Sequence, residues 1–202
     1  MNYQKKLDEL IERLKKEGEK PTLLLHACCA PCSSYCLEYL SKHFDITVLF
    51  YNPNIETEGD YNKRVSELVR FIDECRSIEG VKLEILDYDN SEFYELVEGM
   101  EDEKEGGVRC FKCYELRLKK TAEFAKEKHF KYITTTLTIS PHKNSEKINE
   151  IGVRVADEYG IKYLLSDFKK NDGFKRSLEL SKEYDLYRQN FCGCEFSKRE
   201  ID

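Results

Sequence analysis

The stretch TLLLHACCAPCSSYC, residues 22–36, holds the first strand-to-helix step of the chain. The apolar run 22–25 reads as a buried strand. A cysteine-rich turn follows, and Ser33 or Ser34 is placed to cap a helix running to about His43. Before this step, residues 1–16 carry Leu7, Leu10, Ile11 and Leu14 on one helical stripe. After it the step recurs. Residues 46–51 (ITVLFY) read as a second strand, stopped by NPN. A helix over 58–77 follows, with Tyr61, Val65, Leu68, Val69, Ile72 and Cys75 on its apolar face. Val81, Leu83 and Ile85 alternate as a third strand, and 91–100 is a short helix.

The charged segment EDEKEGGVRCFKCY reads as a loop carrying Cys110 and Cys113, leading into a helix over 114–129. Residues 132–137 (YITTTL) form a fourth strand. The next helix has Ile148, Ile151, Val155 and Tyr159 on one face, and 163–168 (YLLSDF) is a fifth strand. A helix near 176–186 precedes the tail YRQNFCGCEFS. Strands alternating with helices in this way specify an α/β fold, a doubly wound parallel sheet of about five strands covered on both faces. Ligands in such sheets sit beyond the carboxyl ends of the strands. HACCAPC, TISPHKN and SDFKK all map there.

Composition narrows the function classes. With 202 residues and no repeat or linker, one domain is expected over 1–202, with an N-terminal helix (1–20) and a cysteine-bearing tail (187–202). A net charge of −6 argues against a histone-like nucleic-acid binder and leaves room for a local basic patch. No apolar run approaches the roughly 18 residues of a membrane span. The first twenty residues lack the apolar segment of a secretory signal. A cytoplasmic protein with reduced thiols is therefore expected.

Nine cysteines, an odd number with an adjacent pair, fit a disulfide framework badly. Cys75 on a helical stripe and Cys36 inside a helix read as core residues. Cys32 falls at the start of a helix and is left open. The other six, Cys28, Cys29, Cys110, Cys113, Cys192 and Cys194, have spacings short enough for several sulfurs to share a centre. On extended backbone Cys28 and Cys29 would point opposite ways and serve different centres. In Cys-Gly-Cys the glycine removes a side chain that would crowd a metal. Three chemistries compete. Structural zinc would use Cys110, Cys113, Cys192 and Cys194, in a zinc-stabilised binding module with no redox activity. A thiol–disulfide oxidoreductase would use Cys29 and Cys32 at a helix N-terminus. An iron–sulfur cluster with a second metal nearby would use the most cysteines.

The segments HACCAPCSSY, GGVRCFKCYELRL, TTTLTISPHKN and SDFKKNDGFKRSLELSKEYDLYRQNFCGC, in that order, resemble the cobalamin-independent QueH family of epoxyqueuosine reductases. The resemblance runs from about Lys20 to Ser197. It implies the last step of queuosine synthesis, reduction of an epoxide to an alkene on a tRNA wobble base. It also implies a fold like the adenine nucleotide alpha hydrolases (HUP, PP-loop). The phosphate loop of the ATP-using members is replaced by HACCAPC, so neither ATP nor cobalamin is expected. A [4Fe–4S] cluster and a further mononuclear metal, taken as iron, are implied on Cys28, Cys29, Cys110, Cys113, Cys192 and Cys194. A carboxylate is expected to join them, for which Asp167 at the end of the fifth strand is the candidate. Cys29 and Asp167 would stand at the reacting centre, and a ferredoxin-like one-electron donor would supply it. His26 reads as a core residue. His142, Lys143, Lys169, Lys170, Lys175, Arg176 and Arg188 are the candidate tRNA contacts, with Tyr187 and Phe191 as candidate stacking rings.

Overall fold

The computed structural model describes residues 1–198; the last four residues of the tail, 199–202, lie outside the described residues. Five strands form one all-parallel sheet: β1 (Thr22–Ala27), β2 (Asp45–Phe50), β3 (Lys82–Ile85), β4 (Tyr132–Thr135) and β5 (Lys162–Tyr163). Their order across the sheet is β3-β2-β1-β4-β5. Seven helices connect and cover them: α1 (Tyr3–Glu17), α2 (Ala30–Leu40), α3 (Glu58–Glu74), α4 (Ser91–Val97), α5 (Val108–Glu127), α6 (Ser145–Tyr159) and α7 (Gly173–Glu183). The expected doubly wound parallel sheet is therefore present.

Side-chain alternation on β1 explains the two layers. Leu23, Leu25 and Ala27 join one core with Leu7 and Ile11 of α1, Leu37 and Leu40 of α2 and Phe71 of α3. Leu24, pointing the other way, joins a second core with Leu118 and Ala122 of α5 and Ile148 and Val155 of α6. A strand buried on both faces must be apolar at every position, as 23–25 are. Helix ends follow local chemistry. Thr57 and Asn144 accept backbone N–H bonds at the starts of α3 and α6. Gly160 closes α6 in the left-handed conformation that glycine adopts without cost.

Several boundaries differ from the expectations. Helix α2 begins at Ala30, ahead of the serines, because Pro31 suits a first turn that needs no N–H there and Cys29 takes the N-cap position. Helix α5 starts at Val108, so Cys110 and Cys113 lie on a helix and not in the charged loop. Helix α7 starts at Gly173, where a Cβ would collide with the Phe168 carbonyl and the Tyr35 ring. Strand β5 is two residues long. No helix among the described residues is long and apolar enough to cross a membrane.

The strand order sets the site. From β1 the chain winds outward through β2 to β3, then returns to add β4 on the other side of β1. The connections leaving β1 and β4 therefore diverge to opposite faces and leave a crevice between their carboxyl ends.

Candidate metal centre

The crevice is lined by thiols. Cys28 leaves the end of β1, Cys29 caps α2, and Cys32 lies in the first turn of α2. Their three sulfurs lie within 4.8 Å of one another and can hold a metal. Cys28 Sγ is 3.8 Å from Cys29 Sγ. The adjacent pair thus converges where opposed directions were expected. Cys29 itself is extended, and the chain turns into the helix at Ala30. From β4's side, Thr136 Oγ1 accepts from Cys28 N at 3.3 Å and lies 3.5 Å from its sulfur. Thiols of Cys29 and Cys32 hydrogen-bonded to Cys28 hold its pKa well below the usual range. The same contacts push Cys29 and Cys32 up. Three converging sulfurs are a ready soft-metal ligand set.

A second group stands beside it. Cys110 and Cys113 are three apart on α5 and so share a helical face. Cys110 Sγ accepts from Gly106 N at 3.2 Å. Cys113 and Cys194 pack together with Phe93 and Val97. Burial raises the Cys113 thiol to about 12. Cys192 lines the same cavity, of about 230 Å³, as Cys28, Cys29 and Cys32. Among the described residues, only the first three sulfurs meet at single-ion spacing. The tail bearing Cys192 and Cys194 is pinned by Arg64, whose Nη1 donates to Cys192 O at 3.4 Å, and by Glu56 N donating to Gly193 O at 3.1 Å. Gly193 has φ +116°, and a Cβ there would come 3.0 Å from the Arg64 guanidinium. The glycine of Cys-Gly-Cys thus makes room for an arginine.

Beneath the thiols, Arg117 is fully buried on α5. Its Nε donates to Cys113 O and its Nη1 to Asn52 Oδ1, both at 3.3 Å, while Nη2 has no partner. Asn52 in turn donates to the carbonyl of Ala27 at 2.8 Å. His26 is a neutral core residue. Its Nε2 donates to Tyr51 O and its Nδ1 accepts from Thr135 Oγ1. Burial, then Arg117, lowers its pKa to about 4. Cys36 and Cys75 are buried as expected.

The expected site residues divide. His142, Lys143, Arg188 and Phe191 line the cavity with Arg64, Phe174 and one carboxylate, Glu105. Burial opposes the Lys143 ammonium, but Cys192, Tyr114, Cys28 and Cys32 outweigh it and raise its pKa. Tyr187 is exposed in an adjoining groove with Lys63, Arg64 and Phe191. Asp167 does not line the thiol cavity. With β5 ending at Tyr163, Asp167 sits beyond the sheet, pairs with Lys169 Nζ at 2.5 Å and faces a separate cavity beside α1. Lys170 lines that second cavity, and Arg176 forms a bidentate pair with Glu38. Lys169, Lys170, Lys175 and Arg176 are thus outside the thiol cavity. Cys32, left open by the sequence and named with Cys29 in the dithiol reading, lines the cavity. Arg64 at the cavity and the buried Arg117 were not foreseen. Their available signal was a charge on an apolar stripe, between Tyr61 and Leu68 and between Tyr114 and Thr121.

The donor set is soft and the buried cation beneath it has an open N–H, so the residues suit a thiolate-bound metal group. Sheet and site together define a parallel α/β protein with a cluster of cysteines, able to hold a metal, at its topological switch point. Residues 23–200 match the family model described as epoxyqueuosine reductase QueH, and the chain belongs to that family. A Streptococcus pyogenes serotype M1 protein of that name is 45% identical over 201 residues, 98% of this chain and 79% of the relative. One from Staphylococcus epidermidis is 40% identical, covering 100% and 87%. One from Thermotoga maritima is 34% identical, covering 89% and 91%.

Proposed function

We propose that this chain reduces epoxyqueuosine to queuosine at the wobble position of tRNA. The reaction takes an epoxide, two electrons and two protons to an alkene and water. The observation that carries the reading is the convergence of Cys28, Cys29 and Cys32 at the mouth of the sheet in a chain of this family. The three close sulfurs suit the mononuclear metal, taken as iron. Cys110, Cys113, Cys192 and Cys194 suit a [4Fe–4S] cluster, which spreads its ligand sulfurs wider than one ion does. When bound, such a centre supplies the electrons and a Lewis acid. A one-electron donor protein of ferredoxin type refills it.

The rest falls to the chain itself. The modified base enters the cavity and lies against Phe191 and Phe174, with Arg64 held over the Phe191 ring at 5.8 Å. Lys143, His142 and Arg188 meet the backbone phosphates at the mouth. Thr136 holds Cys28 in place through both its N–H and its sulfur. The dithiol reading is weaker, because Cys28 meets Cys29 and Cys32 at single-ion spacing and a Cys29–Cys32 pair leaves it without a role.

The test is anaerobic purification with iron, sulfide and zinc analysis, a visible spectrum, and turnover of epoxyqueuosine tRNA followed by nucleoside mass spectrometry. Iron in excess of sulfide, with queuosine formed under a low-potential reductant, supports the reading. Zinc alone, unchanged after anaerobic reconstitution and without turnover, overturns it.

A further inference from the structure

Arg117 is buried, and no carboxylate among the described residues pairs with it. Its Nη2 has no hydrogen-bond partner among the described residues. An arginine does not shed its proton to escape such a place, and an unpaired buried cation is strongly unfavourable. The fold nevertheless secures it twice. Its Nε bonds the carbonyl of Cys113, in the second cysteine group. Its Nη1 bonds Asn52, whose amide holds the carbonyl of Ala27, the residue before Cys28 in the first group. The guanidinium is thus wired to the supports of both groups. A carboxylate partner would cancel its charge; its neighbours here are neutral carbonyl and amide oxygens, which leave the charge intact for the thiolates.

We infer that Arg117 is the built-in counter-charge of the cysteine centre, a positioning residue that stabilises the gathered thiolates and raises the electron affinity of the metal group they hold. The second half rests on the iron–sulfur reading above; the first holds for any thiolate-bound metal. Each thiolate and each added electron makes the centre more negative. A fixed cation in a poorly polarisable interior favours the more negative state.

Two measurements test it on the full chain. The first titrates the metal-free protein with Co²⁺ and follows the thiolate-to-metal absorbance. The second is a reductive titration of the reconstituted protein followed by electron paramagnetic resonance. Arg117→Gln is expected to weaken Co²⁺ binding by about tenfold or more. It also shifts the reduction equilibrium toward the oxidised form by about tenfold, or about 59 mV downward for a one-electron couple. Arg117→Lys, which keeps the charge, stays within about threefold of the parent in both. Asn52→Asp places a carboxylate where Oδ1 now lies 3.3 Å from Nη1, and moves both readouts in the same direction as Arg117→Gln. It decides the matter should Arg117→Gln not fold. Parental Co²⁺ affinity and potential in Arg117→Gln or Asn52→Asp overturn the inference. So does an equal shift in Arg117→Lys and Arg117→Gln, which assigns the effect to packing. If the parent takes up no cluster, the iron–sulfur reading fails, and the Co²⁺ titration still decides whether Arg117 serves the thiolates.

Discussion

Cys28, Cys29 and Cys32 come from one strand-to-helix turn, while the second group takes Cys110 and Cys113 from a helix and Cys192 and Cys194 from a distant tail, with Cys113 and Cys194 packed in one cluster. The first group is held by secondary structure on both sides and by Thr136. The tail of the second has only a short helical turn at Glu195–Ser197 and depends on Arg64, Glu56 and the Ser197 hydroxyl, which accepts from Cys192 N at 3.1 Å. Local turns can place a few sulfurs tightly. A group that joins a helix to a tail far off in sequence needs its own fastenings.

The contrast is open to direct attack. The largest effect is expected from ligand removal. Cys28→Ala and Cys192→Ala should each lower turnover of epoxyqueuosine tRNA by at least about 10³-fold, the scale of losing an essential metal ligand or catalytic group. Their metal contents should differ: Cys192→Ala loses inorganic sulfide, whereas Cys28→Ala keeps sulfide and loses iron. Full activity in either variant removes that cysteine from the centre. Next comes Gly193→Ala. Forcing a side chain into φ +116° and against Arg64 should cost about 1–3 kcal/mol and loosen the tail. Limited proteolysis would then cut near 187–194 while the sheet survives; unchanged protection there would mean that the tail is not the weaker half. Thr136→Val tests the tighter half. It removes the acceptor of Cys28 N and should destabilise the metal-free protein by about 1 kcal/mol in urea titration. Smallest are the surface cations. Arg188→Gln should weaken tRNA binding several-fold and reduce the salt slope by about one. Arg176→Gln, already paired to Glu38, should leave the slope as it is.

Much of this was legible in the chain. The unbroken apolar run 23–25, the β-branched run 132–135 and the helical stripes specify a two-faced parallel sheet, because no other layer arrangement buries them all. The cysteines advertised a centre through their spacing. What spacing could not convey was direction. Cys29 is extended as read, yet its sulfur meets that of Cys28, and Cys32 joins the group only once α2 starts at Ala30. Asp167 was misplaced for a similar reason. YLLSDF has strand composition, but its register with β4 covers Lys162 and Tyr163, Leu164 N adds a last backbone bond to Ile133 O, and the segment then leaves the sheet. Arg176 looked like part of a basic run because its partner, Glu38, lies on α2, far off in sequence. Buried charges such as Arg64 and Arg117 break the polar-outside rule, and such exceptions tend to mark function.

The sheet's order also has a consequence in time. Strand β1 pairs with β2 across a short crossover, Leu23 opposite Ile46, but with β4 only after a long detour, Leu23 opposite Tyr132. Closing that distant ladder is entropically slow. Until it closes, one flank of an apolar strand stays unpaired, with the unmetallated cysteines 28, 29 and 32 at its tip. The molecule is therefore most prone to aggregation and oxidation while it folds, and the arrival of β4 both seals that flank and brings up Thr136 to steady the first sulfur.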